Sequence, residues 1–184
     1  MASKVDICNS ALLKLGCDRI NSLTDDNVRA RTCNDRYELL KDEVLRSAPW
    51  KFALKRITLT KTVNVPAFGY EAEFQLPSDC LRPWEIDPNY IQWTQEGNKI
   101  LANEDTINLK YIYKAPESNF DTSFVEVLAT RMAMDMCYKL TNSVSREQEL
   151  RSLYLVLLAD ARTFSAQSGQ QERYISEDFT IVRY

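Results

Sequence analysis

The 184-residue sequence contains no histidine. That absence removes Ser-His-Asp and Cys-His catalysis together with the commonest zinc and haem ligand. A hydrolase built from this chain would have to work with carboxylates. Glycine is scarce as well, with four residues and none set in a phosphate-cradling loop. No uncharged apolar run reaches the length of a signal peptide or membrane span, and Met1-Ala2-Ser3-Lys4-Val5-Asp6 leads directly into an amphipathic pattern. The expectation is a soluble protein made in the cytoplasm. Positive charge is not in excess either: 26 acidic against 23 basic residues leave a net charge of -3, which disfavours a general nucleic-acid binder. No Cys-x-x-Cys pair occurs. Cys8, Cys17, Cys33, Cys80 and Cys137 are odd in number and scattered, so they read as reduced core thiols, and neither a metal nor a cofactor is expected.

With 45% hydrophobic residues, a chain of this length can bury one core, or one core with an attached lobe. Ser3 stands before Val5, Cys8, Leu12 and Leu15 at one-face helical spacing, Asp6 can complete a capping box, and Gly16 supplies a left-handed stop. A second helix is expected from Thr24 as N-cap, with Leu23 packed on Val28, and with Cys33, Tyr37, Leu40 and Val44 inward. Arg29, Arg36, Glu38, Lys41, Asp42 and Glu43 fall on its wetter sides, and Pro49 ends it.

From Ile57 to Tyr113 the recurring residues are β-branched or aromatic, in short runs: 57–60, 70–76, 90–94, 99–101 and 107–113. Glu96-Gly97-Asn98 is a hairpin signal, and 64–69 reads as a longer loop containing Pro66. This middle third is expected to form a small antiparallel sheet.

Helical spacing returns from 121 to 140, with apolar residues around most of the circumference. Such a helix is enclosed by its own fold or by a neighbouring subunit, and Phe124, Leu128, Met132 and Met136 are the candidate subunit-interface residues. Ser145 with Gln148 suggests a capping box for a last helix whose stripe is Leu150, Leu153, Leu157, Ala161 and Phe164, ending at Gly169. Residues 170–184 are too apolar for a solubilising tail. Tyr174, Ile175, Phe179, Ile181, Val182 and Tyr184 either dock on a partner or add an edge strand to the chain's own sheet. The order helices, strands, helices gives an α+β fold in one domain: a bundle of 1–50 and 117–169, an inserted β lobe of 51–116, and an extended tail of 170–184.

Asp79, Glu85 and Asp87 are the carboxylates that a glycan hydrolase could use in acid/base roles, although charges flanking strands are ordinarily solvated. Trp50, Phe52, Trp84 and Trp93 could stack on bases or sugars, but aromatics at helix-to-strand junctions more often fasten a lobe to a bundle. Arg46, Lys51, Lys55, Arg56 and Lys61 form the local positive concentration, able to meet phosphates or a neighbour's acidic face, or else a plain solvated rim.

Read as strings, Val5-Asp6-Ile7-Cys8-Asn9-Ser10-Ala11-Leu12 with Leu15-Gly16, Ile20-Asn21-Ser22-Leu23-Thr24-Asp25, Leu45-Arg46-Ser47-Ala48-Pro49-Trp50-Lys51-Phe52-Ala53 and Leu76-Pro77-Ser78-Asp79-Cys80-Leu81-Arg82 resemble the tail tubular protein A family of short-tailed bacteriophages. The helix, strand, helix order is similar over nearly the whole length. The resemblance implies a structural, non-enzymatic head-to-tail adaptor in the virion neck, forming a ring of roughly twelve copies under the portal. It implies as partners the portal protein, a tail nozzle of the tail tubular protein B type, and DNA passing through the lumen without sequence-specific binding; no membrane is involved. Docking on the portal would fall to the tail residues named above. A ring subunit needs two different side surfaces that meet head to tail, and a charge of -3 repeated around a ring repels phosphates.

Overall fold

The computed structural model describes residues 2–168. Its elements are α1 (Lys4–Lys14), α2 (Val28–Arg46), β1 (Leu54–Thr60), β2 (Ala72–Gln75), β3 (Cys80–Asp87), β4 (Trp93–Glu96), β5 (Lys99–Ala102), β6 (Thr106–Tyr113), α3 (Thr122–Thr141) and α4 (Val144–Gln167). The fold is α+β. No helix among the described residues is long and apolar enough to cross a membrane.

The first helix begins as its sequence requires. Ser3 and Asp6 form a complete capping box, the Ser3 amide donating to the Asp6 carboxylate at 2.9 Å and the Asp6 amide to the Ser3 hydroxyl at 3.1 Å. Gly16 follows at φ 70°, a left-handed conformation that a side chain would resist. The link onward is clamped by Asn9, whose side chain both donates to the Ile20 carbonyl and accepts from the Ile20 amide. The second helix starts later than Thr24. Its N-cap is Asn27, which accepts from the Ala30 amide at 2.8 Å, and Val28 is exposed, so the Leu23–Val28 staple does not form. Cys33, Tyr37, Leu40 and Val44 point inward as their spacing demands. Lys41 does too, at 4% exposed, against the wetter side its charge suggests.

α3 touches α1, α2 and α4, which accounts for its apolar circumference. Asp121 caps it, accepting from the Phe124 amide at 2.6 Å, and Asn142 ends it in the left-handed conformation. Phe124, Leu128, Met132 and Met136 are each at most 1% exposed within the single chain. They are core residues, not subunit-interface residues: three neighbouring helices already cover them, and none could reach another copy without the bundle opening.

α4 is capped by Ser143, not Ser145, through the Arg146 amide. Its buried line is Leu150, Leu158, Ala161 and Ser165, while Leu153 and Phe164 are exposed. At 100° per residue this face is turned by roughly 60° from the stripe the apolar spacing suggests. Two polar contacts fix the rotation: the Lys51 amide donates to Ser165 Oγ at 3.1 Å, and Arg162 Nη2 donates to the Ser47 carbonyl at 2.9 Å.

The strands form two three-stranded antiparallel sheets, ordered β1-β6-β3 and β2-β5-β4, where one small sheet was the expectation. β3 has no counterpart among the expected runs, and 90–94 becomes β4 at Trp93–Glu96. Pro83 is the reason β3 is hard to see, since proline lacks an amide and argues against a strand. Here the strand lies at the sheet edge and pairs with β6 through register shifts at Cys80/Arg82 and Pro83/Glu85, where proline is tolerated.

Lobe and bundle share one apolar core. At its centre Trp50 meets Phe124 edge-on at 5.1 Å, with Phe52 at 5.0 Å and Phe120 at 4.6 Å from the same ring. The Trp50 indole N–H donates to the Val44 carbonyl at 2.9 Å, so the burial leaves no polar group unpaired. Truncation by Phe124→Ala should cost about 3–5 kcal/mol in urea unfolding, the range for emptying a large core site; a loss under about 1 kcal/mol, typical of a surface change, would show that this knot does not hold lobe to bundle.

Candidate functional site

Glu85 and Asp87 stand two apart on β3 and share the solvent face of the first sheet with Arg56 and Thr58 of β1 and Asn108 and Lys110 of β6. Together with Ile57 and Leu109 they line an open groove of about 600 Å³. Lys110 Nζ lies 3.3 Å from the Glu85 carboxylate, so one of the two acids is already ion-paired. Asp79 is not in this groove. It sits before β3 and takes Lys55 Nζ at 2.6 Å and the Tyr111 hydroxyl at 3.1 Å. Burial pushes its carboxyl up, but those two donors together outweigh burial and hold it below the ordinary value. A general acid needs the opposite shift.

A second concavity, of about 450 Å³, lies where the end of α2 meets the lobe and α4; Ser47, Lys51, Trp84, Lys110, Arg162 and Ser165 are among its walls. Trp84 is 37% exposed, and the Arg82 guanidinium lies 5.2 Å from its ring centroid. Arg82 also donates to the Arg46 carbonyl, and Arg162 to that of Ser47, so both complement the negative end of the α2 dipole. Of the basic string, Lys51 lines this concavity, Arg56 lines the first groove and Arg46 is exposed at the end of α2, while Lys55 and Lys61 are committed to Asp79 and Asp105.

The third polar feature is a network around Lys41. Its Nζ lies 2.8 Å from Glu38 and 3.2 Å from Glu117, and Glu117 also accepts from the Tyr37 hydroxyl at 3.2 Å. Lys4 reaches Glu38 at 2.5 Å, and Lys114 reaches Glu38 at 3.2 Å and Asp42 at 3.0 Å. Four separate segments of the chain therefore meet in one ion cluster: α1, α2, the end of β6 and the 3-10 turn Glu117–Asn119. Burial pushes the Glu38 carboxyl up, but hydrogen bonds from Lys4, Lys41 and Lys114 more than offset it and bring it to about 2.

The remaining aromatics fasten the fold. Trp50 is fully buried, and Phe52 and Trp93 are half-buried against the core. All five cysteines are free thiols; Cys8, Cys33 and Cys137 are buried, and hydrogen bonding to Cys33 together with burial pushes the Cys8 thiol up, away from a reactive thiolate. Among the described residues no cluster of three acidic or cysteine side chains is placed to hold a metal ion. The tail residues Tyr174, Ile175, Phe179, Ile181, Val182 and Tyr184 lie outside the described residues. Sequence spacing alone also misses the exposed flank of α4, where Leu153, Val156 and Phe164 recur at i, i+3 and i+11 and are 42–61% exposed. Only the rotation of the helix reveals it. The chain matches no protein-family model and no curated protein.

The ion cluster gives a pH signature. A carboxylate held at about 2, against 4.5 when unperturbed, contributes stability above the higher value and loses it as pH falls toward the lower. Melting temperature should therefore drop as pH is lowered through that window, and Glu38→Gln should flatten the drop; parallel melting curves against pH for the two proteins would show that Glu38 is not responsible.

Proposed function

We propose that the chain is a structural head-to-tail adaptor of a tailed-phage virion, of the tail tubular protein A type, which forms a ring under the portal, joins it to the tail nozzle and continues the DNA channel. One observation carries the reading beyond resemblance: the exposed flank of α4, with Leu153, Val156 and Phe164 uncovered on a helix that packs on α3 with its other side. A lone exposed leucine needs no explanation, but three large apolar side chains on one flank, interrupted only by the exposed Asp160, offer a surface suited to contact with another molecule. The loop joining β1 to β2 is a second such surface, with Val63, Val65 and Phe68 at 72–99% exposed. Two unlike adhesive surfaces on one subunit are what a head-to-tail ring needs. The apolar residues beyond 168 add candidate contacts for the portal.

Ring formation by the full-length protein mixed with its portal, imaged in negative stain, is the direct test. Val156→Glu with Phe164→Glu should abolish rings while leaving the melting temperature within a few degrees, because both side chains are exposed. Undiminished ring formation would remove α4 from the interface. Deleting 170–184 should abolish co-sedimentation with the portal, and unchanged binding would reject the role given to the tail.

A further inference from the structure

Among the described residues, eight lysines and arginines have no described carboxylate within 4.0 Å: Arg19, Arg46, Lys51, Arg56, Arg82, Lys139, Arg151 and Arg162. Two of the eight line one cleft and two more lie beside it. Lys51 and Arg162 line the cleft at the end of α2, Arg82 contacts both the Arg46 carbonyl and the Trp84 ring beside it, and Arg56 stands two residues along β1 from Leu54, opposite Lys110, in the adjoining groove that Glu85 and Asp87 also line. A chain of net charge -3 thus places four of these cations in or beside a single concavity that also exposes a tryptophan.

The other end of β1 carries the reverse combination. There the loop after Thr60 exposes Val63, Val65 and Phe68, and the exposed acids Glu71 and Glu104 have no cation within 4.0 Å among the described residues. The Glu71 amide donates to the side chain of Asn103, the residue before Glu104, at 3.0 Å, which ties the two segments together. The base of the loop is fixed. Buried Glu73 accepts from Thr62 Oγ1 at 2.9 Å, Asn64 Nδ2 at 3.0 Å and Lys99 Nζ at 2.9 Å, while its carbonyl takes the Thr62 amide at 2.8 Å. The apolar side chains are held outward on an anchored loop.

We infer that the tip formed by Val63, Val65, Phe68, Glu71 and Glu104 of one copy docks into the basic cleft beside Trp84 of the next copy. The inference rests on the ring reading above and names the contact within it. The tip cannot serve its own cleft: from Leu54 at the cleft to Thr60 at the loop the strand advances roughly 20 Å at about 3.3 Å per residue, and pairing with β6 along its whole length keeps it straight. The contact must therefore form between molecules. It joins unlike surfaces, apolar side chains to an exposed indole and carboxylates to unpaired cations, so each copy uses one of each and the chain of contacts runs head to tail. Nucleic acid is the less fitting occupant, since the cleft offers a single exposed ring and the molecule as a whole repels phosphate.

Charge exchange tests this directly. Glu71→Lys with Glu104→Lys makes the tip positive, and Lys51→Glu with Arg162→Glu makes the cleft negative; each double variant alone should lower the ring yield on the portal at least about tenfold, because like charges now face each other. Mixed in equal amounts, the two should regain rings, the positive tip of one entering the negative cleft of the other and the reverse. All four positions are exposed, so unchanged melting temperatures confirm that both variants fold. Rings from either variant alone at native yield, or no recovery on mixing, would overturn the contact while leaving the adaptor reading intact. No rings from the native chain would overturn the adaptor reading itself. Retention of the native chain on double-stranded DNA that the cleft variant loses, with no recovery of rings on mixing, would assign the cleft to nucleic acid and overturn the inference.

Discussion

Everything in this molecule is arranged around the encirclement of α3. A helix with apolar residues on nearly all sides has no stable place at a surface, and here α1, α2 and α4 each cover a part of it. Thr130, the buried polar residue on it, returns its hydroxyl to the Glu126 carbonyl at 2.8 Å and so needs no partner from outside. The first turn of α3 supplies Phe124 to the aromatic knot, which places the start of β1 and hence the lobe. With the central helix satisfied internally, the apolar surplus of the chain moves outward to α4 and to the loop between β1 and β2.

What the sequence discloses follows from how local each determinant is. The capping box of Ser3 and Asp6, the left-handed Gly16 and the inward face of α2 depend on residues a few positions apart, and they stand where spacing puts them. The rotation of α4 depends on two hydrogen bonds to Ser47 and Lys51, more than a hundred residues away in sequence, and no periodicity could supply it. Lys41 shows the same limit, because its burial is made tolerable by Glu117, a partner from another element. β3 was hidden by Pro83, which becomes acceptable only at an edge, and edges are a property of the assembled sheet.

The candidate site was legible in kind more than in place. Charge spacing marks Arg46, Lys51, Lys55, Arg56 and Lys61 as a positive concentration, but the fold removes Lys55 and Lys61 into ion pairs, places Arg56 in the groove of Glu85 and Asp87, and adds Arg82 and Arg162 from distant segments. The candidate carboxylates divide likewise: Glu85 and Asp87 share a groove, while Asp79 is taken by Lys55 and Tyr111. Phe124, Leu128, Met132 and Met136 belong to the interior because hydrophobic circumference, taken alone, cannot distinguish a helix surrounded by its own chain from one surrounded by neighbours.

Pro83 and the two register shifts along β3 have one more effect. An edge strand ordinarily offers an open row of amides and carbonyls on which a stranger's backbone could grow, and such growth neither stops at a set number nor selects its mate. Proline and the shifted register interrupt that row on the β3 side of the first sheet. In the ring we propose, contacts between copies would then fall to side-chain surfaces, and those can impose the fixed angle that closes a finite circle where a fibril would otherwise extend.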